Sequence, residues 1–246
     1  IIAKQDLVLA GLFLAEEVFS ALDEGVKFEA LAEDGARVKK GRAIAAVSGR
    51  LGPMLTGERV ALNILARLSG IATLTEAFVQ KAPGVTVLDT RKTTPRLRVF
   101  ERYAVRLGGG VNHRSGLYDA VLIKDNHIKA AGGIARAIKK VRRSYGREKT
   151  LEVEVTNIKE TREALRGGAD IILLDNMDAE KIKKVLKVIK GQAVTEVSGG
   201  VNLNNIKELA RTGVDRISIG GLTHSAPAVD ISMKVMDDHG GKKNRF

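Results

Sequence analysis

The 246-residue sequence has no cysteine and no tryptophan, and aromatic residues make up only 4% of it. Without cysteine there is no disulfide framework, no thiolate nucleophile and no thiolate-bound metal, and a reducing, cytoplasmic setting fits. Scarce aromatics leave little with which to stack nucleobases. No apolar run approaches the length of a membrane span and no signal peptide is visible, so neither a membrane nor secretion is expected. The sequence starts at Ile1 instead of Met, which points to a trimmed N-terminus. What remains is an ordinary globular balance of 44% hydrophobic and 28% charged residues. That suffices for one large α/β unit, or for a barrel with a smaller appended domain.

Forty-one Lys and Arg against 29 Asp and Glu give a net charge of +12, a field that concentrates anions at the surface. Nucleic acid, a phosphorylated metabolite and bare solubility all fit such a field, so the placement of the charges must decide. The runs Lys139-Lys140 with Arg142-Arg143, and Lys181-Lys183-Lys184, fall on predicted outer helices and read as solvated faces.

From Val85 onward a short β-branched run, a polar or glycine-bearing turn and an amphipathic stretch recur. The predicted strands are 85–88, 120–123, 151–155, 171–174, 194–197 and 216–219. Between them lie helical spacings such as Ile134-Ala137-Ile138-Val141, Ile182-Val185-Leu186-Ile189 and Ile206-Leu209-Ala210. Strands alternating with helices predict parallel β/α units, and six strands favour a closed or nearly closed barrel over a doubly wound sheet. The first 60 or so residues differ. Strands over 26–31 and 43–47 flank the turn signal Glu33-Asp34-Gly35, with helices over 12–22 and 57–68, and predict a small α/β sandwich.

Each barrel strand runs into residues that suit binding better than strand interiors. They are Asp89-Thr90-Arg91-Lys92, Lys124-Asp125-Asn126-His127, Asp175-Asn176, Ser198-Gly199-Gly200 and Gly220-Gly221, with Glu152 and Glu154 on the third strand. In a parallel barrel these ends share one face, where barrel enzymes place their chemistry. Arg91, Lys92 and Lys124 therefore read as an anion-binding cluster. The run Gly108-Gly109-Gly110 leads to His113-Arg114 and reads as a loop whose backbone approaches a ligand. Glu154 and Asp175 are the carboxylates best placed to hold Mg²⁺ beside phosphate oxygens or to accept from ribose hydroxyls. Simple charge balance remains open for both, and pairing with a nearby lysine remains open for Glu152. Ser198-Gly199-Gly200 and Gly220-Gly221 read as a phosphate cradle, with Asn202 starting the next helix as its cap.

These motifs, with Gly57-Glu58-Arg59, Ala61-Leu62-Asn63, Ser69-Gly70-Ile71-Ala72-Thr73 and Gly220 through Ser225, resemble the quinolinate phosphoribosyltransferases, or carboxylating nicotinate-nucleotide pyrophosphorylases. The resemblance covers nearly the whole chain. It implies an N-terminal α/β sandwich over 1–62, completed by 226–246, and an open or incomplete α/β barrel over 63–225. It implies joining of quinolinate to phosphoribosyl pyrophosphate with Mg²⁺, giving nicotinate mononucleotide, CO₂ and pyrophosphate in NAD biosynthesis. It further implies that Arg91, Lys92, His113, Arg114 and Lys124 bind the quinolinate carboxylates and pyrophosphate. Glu154 and Asp175 would meet ribose hydroxyls and metal, and Ser198, Gly199, Gly200, Gly220 and Gly221 the 5′-phosphate. Lys92, Lys124, Glu154 and Asp175 are the catalytic set so implied. Arg59 would enter a partner subunit's site, making a homodimer or higher homo-oligomer. Two departures stand out. A further helical N-terminal stretch usual in the family is absent from the sequence, and Arg96 stands where glycine is common.

Two other readings compete. A relative on the same fold, of nicotinate phosphoribosyltransferase or molybdenum-associated type, would take a substrate with one carboxylate or none and need fewer cations. A basic nucleic-acid-binding protein would explain the charge but not the placement of ligand-type residues at strand ends.

Overall fold

Polar and glycine-bearing turns divide the chain into short strands and amphipathic helices in a computed structural model that describes residues 1–236. The N-terminal part carries β1 (Ile2–Ala3), β2 (Leu7–Val8), α1 (Leu12–Ser20), β3 (Lys27–Ala30), β4 (Arg37–Val38), β5 (Ala45–Ser48) and α2 (Leu51–Lys81). Then follow β6 (Thr86–Leu88), α3 (Arg98–Leu107), β7 (Val121–Ile123), α4 (Asp125–Ala131), α5 (Ile134–Tyr145) and β8 (Leu151–Val155). The chain continues through α6 (Ile158–Arg166), β9 (Ile171–Asp175), α7 (Ala179–Ile189) and β10 (Val194–Ser198). It ends with α8 (Ile206–Ala210), β11 (Arg216–Ser218), α9 (Gly221–His224) and β12 (Ile231–Ser232). Two units result: Ile1–Glu76 with Thr93–Gly110 and the segment from Leu222, and Ala77–Lys92 with Val111–Gly221.

In the first unit three antiparallel pairs, β1–β12, β2–β4 and β3–β5, surround a core that includes Leu9, Phe19, Ile44 and Leu65. The strands expected over 26–31 and 43–47 pair with each other as β3 and β5, Phe28 opposite Val47. The Glu33-Asp34-Gly35 turn does not join them directly. It leads into β4, and Asp34 accepts from the backbone N–H groups of Gly11 and Leu12 at 3.0 and 3.1 Å. Gly11 has no side chain with which to cap α1, so a distant aspartate satisfies those donors.

The boundary expected between residues 62 and 63 falls inside α2, which runs unbroken for 31 residues. Pro53 lies in its first turn, where no helical N–H is lost. Gly70 sits mid-helix because a Cβ there would lie 2.1 Å from the Pro227 carbonyl oxygen. An 18-residue window of α2 has mean hydropathy 1.2, enough by length and composition to span a membrane. Asn63, Arg67 and Ser69 interrupt its apolar residues, so no continuous apolar run of that length stands in the sequence. Half of that window is buried inside the protein, as in a core helix. Of the expected C-terminal completion over 226–246, β12 pairs with β1, and residues 237–246 lie outside the described ones.

In the second unit the strand order is β7-β8-β9-β10-β11-β6, all pairs parallel. The first strand thus pairs with the last, a cyclic order that a doubly wound sheet with its reversal cannot give. The ring stays open between β6 and β7. On β6's free edge Val111 forms a lone parallel bridge with Leu88, its N–H reaching the Val87 carbonyl at 2.8 Å. An open α/β barrel is the result. Helices α5, α6 and α7 cover it with Ile134, Ala137, Ile138, Ala164, Ile182, Val185 and Ile189, and Asn157 and Asp178 cap α6 and α7. Lys139, Lys140, Arg143 and Lys181, Lys183 and Lys184 are solvated as expected. Arg142 is not. Its guanidinium donates to the Gly168 carbonyl at 2.6 Å and to Asp170 at 3.0 Å, pinning the turn before β9.

Candidate active site

Parallel register decides which side chains share a face. Glu154, Leu173, Glu196 and Arg216 form one row across β8 to β11, and Asp175, Ser198 and Ser218 form another at the strand ends. Alternation puts Glu152 on the same face as Glu154. The barrel interior is therefore lined by charge where layers of Val, Ile and Leu would be ordinary.

At its centre His113 Nε2 lies 3.3 Å from Glu152 Oε2 and 3.3 Å from Glu196 Oε1. Arg216 completes the group, its Nε 2.7 Å from Glu196 Oε2 and its Nη2 3.9 Å from Glu152. Both glutamates are buried. Three such donor atoms within 4.8 Å of one another also resemble a metal-ligand set, but Arg216 already supplies a neutralising charge. One more proton balances the group.

That proton belongs to His113 and Glu152 jointly. Burial disfavours charge on His113, yet the carboxylates of Glu152 and Glu196 beside it outweigh this and push the imidazole up to about 9. Burial also raises Glu152. The Arg114 N–H meanwhile donates to His113 Nδ1 at 2.7 Å, which an Nδ1–H could not accept. With the ring's own proton on Nε2, the extra proton sits on Glu152, and the pair releases it together. Because folding tightens the hold on this proton, the stabilisation is complete below pH 6.5 and is lost as pH rises through about 9. Melting temperatures should fall over that window by an amount worth on the order of 2 kcal/mol, and a His113→Asn variant should show a flatter profile. Parallel profiles for the two proteins would contradict the assignment.

The backbone beneath His113 is fixed as well. Asp89, buried at the end of β6, accepts from the His113 N–H at 2.7 Å and from Asn112 Nδ2 at 2.6 Å. Arg114 donates to the Ala120 carbonyl at 3.0 Å. Partial burial and the neighbouring Arg91 charge both depress the Arg114 guanidinium. Lys92 is exposed beside them in sequence, its N–H on Thr90 Oγ1 at 3.1 Å.

On the neighbouring strands Lys124 Nζ lies 3.5 Å from Glu154 Oε2, and Glu154 Oε1 accepts from the Asp125 N–H at 3.4 Å. Asp175 accepts from Asn176 Nδ2 at 3.0 Å. Asn176 has φ 52, and a Cβ on Gly199 (φ 90) would lie 2.3 Å from its side-chain oxygen, so Gly199 is required twice over. The Gly200 carbonyl accepts from Asn202 and Asn205, at 3.3 and 2.9 Å. Asn202 orders the turn before α8, while Asn205 holds the cap position. At Gly221 an added Cβ would meet only Ile219, at an ordinary 3.9 Å, so packing within the chain does not demand glycine there. Ser198 and Gly220 are partly exposed at their strand ends. Arg59 belongs to the first unit and is exposed on α2.

Arg91, His113 and Arg114 are thus linked by contact or mutual charge and Lys124 and Glu154 by their ion pair, with Asp175, Ser198 and Gly199 on the adjoining strand ends. Several features depart from expectation. Glu152 pairs with His113 and Arg216 instead of a lysine. The Gly108–Gly110 run serves packing: Cβ atoms at Gly108 and Gly110 would lie 2.4 Å from the Ala72 carbonyl and 2.8 Å from Thr75 on α2. Glu196 and Arg216 went unnoticed, though a charged residue inside the apolar run 194–197 was a signal. So did Arg67 and Glu101 in the first unit. Buried Glu101 takes Arg67 Nη2 at 2.8 Å and the N–H and hydroxyl of Thr94 at 3.0 and 2.8 Å. Arg67 also reaches the carbonyls of Thr223 and Ala226.

Arg96 adopts φ 68, the left-handed region that favours glycine. An Arg96→Gly variant should therefore be more stable by ~0.5–1 kcal/mol, read as a melting temperature a few degrees higher. A lower melting temperature would count against strain at this position.

Residues 1–69 match the N-terminal domain of quinolinate phosphoribosyl transferase and residues 71–234 its C-terminal domain. A curated Bacillus subtilis protein, named a probable carboxylating nicotinate-nucleotide pyrophosphorylase, is 45% identical over 96% of this chain and 82% of its own. Among solved structures, NadC from Streptococcus pyogenes superposes with a TM-score of 0.90 at 44% identity, covering 95% of this chain and 84% of that one. The nicotinate-nucleotide pyrophosphorylase of Francisella tularensis gives 0.90 at 42%, over 94% and 83%. By sequence over nearly its full length, and by fold, the chain belongs to the quinolinate phosphoribosyl transferase family.

Proposed function

We propose that this chain joins quinolinate to phosphoribosyl pyrophosphate, forming nicotinate mononucleotide with release of CO₂ and pyrophosphate. The observation that carries the reading is the gathering of charge at the strand ends: Lys124 stands 3.5 Å from Glu154, Asp175 and Ser198 share the neighbouring row, and the Arg91 charge acts on partly buried Arg114. Holding like charges together favours a guest with several negative charges, and planar guanidinium groups suit carboxylate and phosphate.

Arg91, Lys92, Arg114 and Lys124 receive the carboxylates and the pyrophosphate, with His113 acting behind Arg114. Ser198, Gly199, Gly200, Gly220 and Gly221 accommodate the 5′-phosphate. The open space at Gly221 supports this, since a side chain there would fit the protein but crowd a ligand. Glu154 and Asp175 accept from the ribose hydroxyls. Their donor set, carboxylates on adjacent strand ends, also fits Mg²⁺, which takes few protein carboxylates and completes its shell with phosphate oxygens and water. When bound there it would neutralise pyrophosphate charge.

Binding places the pyridine nitrogen against the ribose carbon, a proximity effect. The N–C bond forms as the C–O bond to pyrophosphate breaks. Negative charge grows on the leaving group, where the preoriented Arg and Lys side chains stabilise it. The ribosylated ring is cationic, so it accepts the electron pair left when the adjacent carboxylate departs as CO₂, and a proton then occupies that carbon. No side-chain nucleophile is needed. A homodimer in which exposed Arg59 enters the partner's site, and a cytoplasmic setting, complete the proposal.

The test mixes the purified protein with quinolinate, phosphoribosyl pyrophosphate and Mg²⁺ and measures CO₂ and nicotinate mononucleotide. Folded protein that yields neither, or that prefers nicotinate, would overturn the reading.

A further inference from the structure

Glu196 is wholly buried in the middle of β10, flanked in sequence by Thr195 and Val197, which are buried too. Burying two carboxylates, a histidine and a guanidinium costs several kcal/mol per ion before pairing, and apolar replacements of such groups are often neutral or stabilising. Stability alone therefore gives a barrel interior little reason to hold Glu152, Glu196 and Arg216. Neither Glu196 oxygen nor Arg216 Nε has a partner in hydrogen-bond alignment, so this link is ionic at 2.7 Å.

The group does have a direction. Arg216 Nε holds Glu196 Oε2, and Glu196 Oε1 faces His113 Nε2 at 3.3 Å. His113 Nδ1 accepts the Arg114 backbone N–H at 2.7 Å. Both ring nitrogens of His113 thus look into the protein, one toward Glu152 and Glu196 and one toward the backbone N–H of Arg114. A ring held at both nitrogens cannot swing, and the residue it grips inherits that order.

We infer that Glu196, clamped by Arg216, is a positioning residue for quinolinate recognition, acting through His113 to fix the placement of Arg114. The inference rests on the proposed function and narrows it, giving Arg114 to the dicarboxylate alone. It differs from a direct ligand role for His113, in which the ring itself would contact substrate. Glu196 is wholly buried behind His113 and Arg216, so its part is assigned to the ring and not to the substrate.

The experiment is a double-mutant cycle with E196Q, H113N and the pair, measured with quinolinate and phosphoribosyl pyrophosphate varied in turn. E196Q keeps the shape and removes the charge that holds the ring. H113N keeps an acceptor near Nδ1 and loses the reach to Glu196. Each single variant should raise the quinolinate KM ~10-fold and leave the KM for phosphoribosyl pyrophosphate within about twofold. The double variant should match H113N instead of compounding to ~100-fold, since both changes break one chain of contacts. A loss of general packing would move both KM values and kcat together. Melting curves establish that each variant is folded, and R216K, which keeps the charge but loses the fork, replaces E196Q if that variant does not fold. A folded E196Q with unchanged quinolinate KM, or additive effects across the cycle, overturns the inference while the parent's turnover leaves the functional proposal standing. A parent that does not consume quinolinate overturns the proposal itself.

Discussion

Glu101→Ala is expected to destabilise the protein by about 3–5 kcal/mol, because breaking a buried ion pair strands the surviving partner. Glu101 is wholly buried and holds Arg67 at 2.8 Å, the Thr94 N–H at 3.0 Å and the Thr94 hydroxyl at 2.8 Å. Alanine would leave a guanidinium with only carbonyl partners and a backbone N–H with none in that direction. At ~2–4 °C per kcal/mol for a chain of this size, the melting temperature should fall by roughly 6–20 °C. Glu101→Gln keeps the acceptor oxygen and loses only the charge, so its loss should be smaller, ~1–2 kcal/mol. Thermal unfolding followed by circular dichroism separates these outcomes. An alanine variant melting within 2 °C of the parent would mean that the pair contributes no net stability. The same pair bonds Thr94, two residues beyond Lys92, and the carbonyls of Thr223 and Ala226, shortly beyond Gly221. Activity should therefore fall in the alanine variant even below its melting transition.

The barrel was readable because its signals are local. Each strand is a short β-branched run bounded by turn residues, and each covering helix repeats its apolar residues every three or four positions. Ile171–Asp175 and Val194–Ser198 differ from the expected spans by one residue. Strand-end residues were readable for the same reason, since in parallel β/α units all strand C-termini share one face. Glu196 and Arg216 were not, because what they do depends on register. Only the pairing of Glu196 with Arg216 and with Leu173 puts that glutamate inside, across from Glu152. A sequence shows a charged residue in a strand but not which charges it will meet.

Glycine misled in one place for a physical reason. A glycine beside a ligand and a glycine where two helices touch look alike in sequence, since both mark a close approach of backbone. Gly108 and Gly110 face Ala72 and Thr75 of α2, whereas Gly221 faces open space. The domain boundary is a similar case. A helix is expected over 57–68, but no residue between 54 and 81 stops one, so α2 carries the chain past the expected division at 62. Arg96 marks the reverse situation: the sequence departs from glycine, and the backbone keeps the glycine conformation.

Lys124→Ala should lower kcat/KM for quinolinate ~10–100-fold while barely moving the melting temperature. Lys124 follows directly on β7, and its side chain is 48% exposed, 3.5 Å from Glu154. A pair that open and that long contributes no more than ~1 kcal/mol to folding, so its loss is nearly silent in a melt. The same looseness lets the ammonium group turn toward an anion at the rim, where one charge-assisted contact is worth ~1.5–3 kcal/mol. Stability and catalysis therefore separate at this residue, opposite to Glu101, where stability dominates. Lys124→Arg should recover part of the activity, since the charge remains but its shape and reach differ. If Lys124 meets only the ground-state carboxylates, the loss will appear in the quinolinate KM; if it meets the departing pyrophosphate, it will appear in kcat. An alanine variant with kcat/KM within twofold of the parent would remove Lys124 from the site, and with it the placement of substrate between β6 and β8.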